Sequence, residues 1–262
     1  MLYFDTHAHY YDERFSEECE GGVDALLSHL FSTSVSYIIN IGTSPETCRL
    51  AIEQAKRYPR MYTALGIHPS DAQYLSDIDH ALHEIEEMLQ DDMSKACALG
   101  EIGLDYHYPD TNRELQLEVF ERQMQMAERL GLPVVIHDRE AHGDCMDIVR
   151  KYPNVHGVFH SFSGSGEMAK ELVRLGYMIS FSGTVTFTNA RRVAEACEAI
   201  PLSHILIETD APYLAPHPKR GTMNHSGNLV YTNARVATLH KMTEEETARI
   251  TEENAKRFFS IA

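Results

Sequence analysis

Leu2-Tyr3-Phe4-Asp5-Thr6-His7-Ala8-His9 runs from a short apolar segment straight into two histidines spaced two apart. Successive side chains on a strand point to opposite faces, so His7 and His9 share one face and can grip one metal ion together. The same grammar recurs down the chain. Short apolar runs occupy 2–4, 37–41, 62–67, 96–102, 133–136, 155–159, 177–181 and 204–207. They are continuous rather than alternating, as strands buried on both faces should be. Amphipathic stretches with start and stop signals lie between them. Ser44-Pro45 reads as a cap followed by proline at the first helical position. Thr111-x-x-Glu114 and Thr243-x-x-Glu246 read as capping boxes, and Gly131-Leu132-Pro133 as a stop. Eight strand–helix alternations in 262 residues predict an α/β fold, a (β/α)8 TIM barrel forming a single domain over 1–262. A doubly wound open sheet is the runner-up.

Several of those runs end on a potential ligand. Run 4 contains Gly100-Glu101, run 5 ends in Ile136-His137, run 6 in Phe159-His160, and run 8 leads through Glu208-Thr209 to Asp210. A carboxylate in an apolar run is costly unless neutralised, and a metal does that as well as a core Arg or Lys. In a barrel, groups at the C-terminal strand ends gather at one mouth. His7, His9, Glu101, His137, His160 and Asp210 are more ligands than one zinc needs. They suit two divalent ions, with Glu101 as the bridging carboxylate.

Composition narrows the classes further. The chain is 43% hydrophobic and 24% charged, so it is globular rather than disordered. The 23 Lys and Arg against 39 Asp and Glu leave a net charge of −16, which argues against loose binding to nucleic acid or membrane. The five cysteines are scattered without a Cys-x-x-Cys, so neither a disulfide framework nor a structural zinc site is expected. No run is long enough for a membrane helix, and the start lacks a signal-peptide pattern, which predicts a cytoplasmic protein. Nothing marks a stable protein partner.

The motifs jointly resemble the TatD family of metal-dependent deoxyribonucleases, within the amidohydrolase-like barrels. They are Asp5-Thr6-His7-Ala8-His9, Gly66-Ile67-His68-Pro69, Gly100-Glu101-Ile102-Gly103-Leu104-Asp105, Ile136-His137-Asp138-Arg139, His160-Ser161-Phe162-Ser163-Gly164, Glu208-Thr209-Asp210-Ala211-Pro212-Tyr213, and Arg220-Gly221 with Asn224. The resemblance implies metal positions at His7, His9, Glu101, His137, His160 and Asp210, and hydrolysis of DNA phosphodiesters, in relatives as exonucleases. Two departures stand out. The family usually has Cys at Ser161 and Asn-Glu-Pro where this chain has Asn224-His225-Ser226. Neither removes a ligand; the second bears on substrate preference.

The expected chemistry is a two-metal hydrolysis with magnesium, manganese or zinc, in which Asp210 acts as general base and Glu101 is shared by the ions. DNA, as single strands or ends, is the expected substrate. His68, Arg139, Arg220 and Asn224 are the expected substrate contacts. His68 reads equally as a hydrogen-bonded rim residue, and Arg139 equally as an ion pair with Glu208 or Asp105. Lys219-Arg220 and Arg191-Arg192 are the basic pairs nearest the expected mouth, though such pairs are usually solvated charge. Asp5 and Asp105 are placed to orient ligand imidazoles. Tyr106, Tyr108 and Phe162 are the aromatics expected at the rim. Other readings are an amidohydrolase-type or small-phosphodiester hydrolase on the same barrel, and a metal-binding scaffold without turnover. Many related barrels use a carbamylated lysine on the fourth strand, where this chain has Glu101.

Overall fold

A computed structural model describes residues 1–262. It contains eight strands: β1 (Tyr3–Ala8), β2 (Val35–Gly42), β3 (Met61–Leu65), β4 (Ala96–Asp105), β5 (Val134–Arg139), β6 (Gly157–Phe159), β7 (Met178–Phe181) and β8 (Ile205–Ile207). Their order in the sheet is β1-β2-β3-β4-β5-β6-β7-β8. A doubly wound sheet reverses its strand order at a switch point, and this sheet does not. The fold is therefore a (β/α)8 TIM barrel, as the eight apolar runs predict. No helix is long and apolar enough to cross a membrane.

The residues group into two compact units. The first is drawn from Met1–Asn40, His160–Arg174 and Met178–Ala262. Within it β1 pairs in parallel with β2, Asp5 opposite Ile38, and β7 pairs with β8. Just past β8, the backbone N–H of Asp210 donates to His7 O at 2.9 Å, and that of His9 to Ala211 O at 2.7 Å. Two ladder-like bonds thus fix Asp210 beside His7 of β1 and His9 just after it. The C-terminal helix Glu244–Phe258 starts in the capping box of Thr243 and Glu246, and carries Lys256 and Arg257 in its last turn, favourable to the helix dipole.

The second unit comprises Ile41–Phe159 with Leu175–Tyr177. Here β4 pairs with β3 and β5, and β5 with β6, all in parallel. Gly103 lies opposite His137 in that register. A Cβ at Gly103 would lie 2.0 Å from His137 O, and its φ of +138° is one that side chains rarely adopt, so only glycine lets β4 approach His137 this closely. Ser44 caps helix Pro45–Arg57, with Thr47 completing the capping box. The cap expected at Thr111 is instead Asn112, which accepts from Leu115 N. The Thr111 hydroxyl turns away to donate to Asp105 O at 3.3 Å. Gly131 ends that helix in the left-handed conformation, as expected.

Both units bury their strands on both faces. Ile38 and Ile39 in the first, and Leu65, Leu99, Ile102 and Val134–Ile136 of β3 to β5 in the second, are all inaccessible to solvent. Burial of each such side chain is worth about 1.5–3 kcal/mol. That apolar packing leaves the polar residues on these strands at positions where water cannot serve them.

Candidate metal centre

In the first unit, His7 Nε2 and His9 Nε2 face each other at 3.2 Å. Asp210 Oδ1 lies 3.6 Å from the former and 3.4 Å from the latter. The His160 ring stacks on His7 with centroids 4.0 Å apart. One ligand atom each from His7, His160 and Asp210 falls within 4.8 Å of the others. Burial pushes the Asp210 carboxyl up, but the hydrogen bond from His9 and the charges of His7, His160 and His9 outweigh it, holding it below the usual range. Imidazole nitrogens and a carboxylate oxygen drawn together in buried surroundings are a donor set that fits a divalent ion.

Two buried acids support this cluster. Glu208 Oε1 accepts from Ser161 N at 2.7 Å and lies 3.3 Å from His160 Nδ1, so it fixes the turn and the ring together. Asp5 does not reach an imidazole. It accepts from the backbone N–H of His7 and Thr209 and from the hydroxyls of Thr209 and Ser226. Burial pushes its carboxyl up to about 6 despite those four bonds. Its work is to hold the backbone on which His7 and Asp210 sit.

In the second unit, His137 lies between two carboxylates. Glu101 Oε1 is 2.8 Å from its Nδ1 and Asp105 Oδ2 is 3.1 Å from its Nε2. His68 Nε2 lies 3.7 Å from Glu101 Oε1. His68, Asp105 and His137 also bring ligand atoms within 4.8 Å of one another. Burial raises the Asp105 carboxyl, but His137 and Arg139 outweigh it and hold it low. Glu101 falls mid-strand, because β4 continues to Asp105 beyond the apolar run.

The expected ligands therefore gather as His7, His9, His160 and Asp210 in one unit and Glu101 with His137 in the other. The expected substrate contacts are more varied. His68 accepts from Ser70 N through Nδ1 and starts the short helix Pro69–Ala72. Arg139 is half-exposed, 3.9 Å from Asp105 Oδ2 and 5.6 Å above the Tyr108 ring. Arg220 lies over the ring of Phe187 at 3.9 Å. Asn224 is fully buried, and its amide donates to Thr209 O and Tyr213 O while its oxygen accepts from His225 N and Asn228 Nδ2. All its hydrogen bonds serve the chain, so it pins the loop after β8. Phe162, expected at the rim, is buried and packs edge-on against Phe181. The supporting role of Glu208 was missed, although its alternation with Asp210 in sequence was the available signal.

The family model for TatD related DNase matches residues 4–260. The uncharacterized metal-dependent hydrolase YabD of Bacillus subtilis is 38% identical over 262 residues, covering 99% of this chain and 100% of that protein. The uncharacterized metal-dependent hydrolase YcfH of Escherichia coli is 32% identical over 263 residues, covering 100% of this chain and 97% of its own. The crystal structure of YjjV, a TatD homolog from Escherichia coli, superposes with a TM-score of 0.91 at 29% identity over 99% of this chain and 98% of that one.

Proposed function

The chain belongs to the TatD related DNase family of metal-dependent hydrolases, and from that premise we propose that it hydrolyses DNA phosphodiester bonds as an exodeoxyribonuclease with two divalent ions. The observation that carries the reading is the convergence of His7, His9 and Asp210, whose facing atoms lie 3.2–3.6 Å apart. The ligands in this reading are His7, His9, Glu101, His137, His160 and Asp210. Magnesium, manganese or zinc bound there supplies acidification of water and neutralisation of the phosphoryl oxygens.

The chain's own residues do the rest. Asp210 accepts the proton of the attacking water. Glu101 offers two carboxylate oxygens from a rigid mid-strand position. Glu208 and Asp105 hold the rings of His160 and His137 in orientation. His68, Arg139 and Arg220 supply donors to phosphate. The site of action is the cytoplasm.

The deciding experiment follows end-labelled single-stranded DNA with the purified protein, first with chelator and then with each metal restored. Stepwise shortening that needs metal and is absent in Asp210→Asn is the expected result. Intact DNA under every metal would overturn the reading. The net charge of −16 favours a second reading, a hydrolase of small phosphodiesters. Rates that fall steeply with salt on oligonucleotides point to contacts with several phosphates and against it.

A further inference from the structure

Tyr213 stands out among the aromatics of the first unit, because it is half-exposed yet held at its backbone, its hydroxyl and one ring face. The residue is 47% exposed. Its backbone N–H donates to Asp210 O at 2.8 Å, and its carbonyl accepts from Asn224 Nδ2 at 2.8 Å. Its hydroxyl donates to Asp12 Oδ2 at 3.1 Å. The Arg14 guanidinium lies over one ring face, 4.3 Å from the centroid, and is itself fixed by two hydrogen bonds to the Asp12 carboxylate. The ring stands 6.2 Å from His9 at 75°.

A flexible exposed tyrosine gains nothing from such a frame. A ring fixed in advance loses little freedom when a flat partner settles on it, which is how a rigid aromatic gains affinity. Arg14 covers one ring face, so a flat partner would settle on the other. One sugar separates a phosphate from its base in a nucleotide, and one ring-to-ring step separates Tyr213 from His9. We propose that Tyr213 is a stacking platform for the nucleobase next to the phosphodiester held at His9 and Asp210, with Arg14 and Asp12 keeping it in place. This rests on the DNA reading above and gives it a nucleotide-binding residue. Because every base has a flat face, the platform favours no particular base.

The test uses the full chain and three variants. Tyr213→Ala should raise KM for a terminal nucleotide of single-stranded DNA about tenfold, with kcat little changed. Tyr213→Phe, which keeps the ring, should restore KM to near the wild-type value. On a strand with an abasic terminal residue, wild type and Tyr213→Ala should match. Equal KM values for Ala and wild type on normal DNA, or an equal loss on the abasic strand, would overturn the proposal. A second measurement needs no turnover. The chain has no Trp, so Tyr213→Trp introduces a sole indole at the platform. A phosphorothioate dT tetramer should quench its emission and the abasic tetramer should not. Absence of quenching overturns the platform whether or not DNA is cleaved. Quenching in a protein that cleaves no DNA upholds the platform and sinks the nuclease reading alone.

Discussion

Ser226 Oγ donates to Asp5 Oδ2 across 2.6 Å, joining β1 to the loop after β8 over 221 residues of sequence. Since that proton is committed, the Tyr10 hydroxyl donates to Ser226 Oγ at 2.6 Å and accepts from Ser226 N. Ser226→Ala leaves two buried polar groups each short of a partner. It should lower stability by about 1–3 kcal/mol in urea unfolding, with metal content retained. Unchanged stability would mean that the Asp5 network does not hold the loop.

Asp210→Asn keeps the shape of the side chain and removes its capacity to take a proton. Hydrolysis should fall by roughly 10²–10⁴ fold, while circular dichroism stays near wild type. Full activity in this variant would remove Asp210 from the role of base.

Metal content can be read directly after dialysis. The wild type should retain two divalent ions per chain, and His7→Ala and His137→Ala should each retain fewer by elemental analysis. Chelation should lower the melting temperature of the wild type, because ions that bind only the folded state stabilise it. A wild type that binds no metal would sink the whole site.

Asp12 offers a pH test at a carboxylate that is not itself a ligand. Burial pushes its carboxyl up, but the hydrogen bonds and charge of Arg14, with the Tyr213 hydroxyl, outweigh it and hold it below its ordinary value. A depressed folded value stabilises the protein above the unfolded value near 3.9, and that stabilisation shrinks as pH falls through the folded value. Asp12→Asn should therefore melt about 1–3 °C below wild type at pH 7, and the gap should close below about pH 4. A gap that persists at low pH would assign the difference to packing.

The barrel was legible because its strands announce themselves as continuous apolar runs, and because potential ligands sit on or just after them. What sequence spacing could not supply was any pairing across long stretches of chain. Asp5 looks like a companion for a neighbouring imidazole, yet its partners Thr209 and Ser226 lie more than 200 residues away. Asp105, by contrast, was legible as a companion of a ligand imidazole: it is the last residue of β4, buried against His137. Thr111 and Asn112 are both good capping types, so their order along the chain does not say which hydroxyl or amide is spent elsewhere. Phe162 and Tyr213 both follow a ligand closely, and only packing separates the buried ring from the exposed one.

The way the two units are drawn from the chain has a consequence for synthesis. Nearly all of the second unit is one unbroken stretch, Ile41–Phe159, so His68, Glu101, Asp105 and His137 can come together while translation is still under way. The first unit cannot. His7 and His9 leave the ribosome early, and their partners His160 and Asp210 follow much later. Through that interval His7 and His9 have no Asp210 to pair with. A nascent chain that ends before Asp210 therefore lacks a ligand of the first unit, while the stretch Ile41–Phe159 already contains Glu101 and His137.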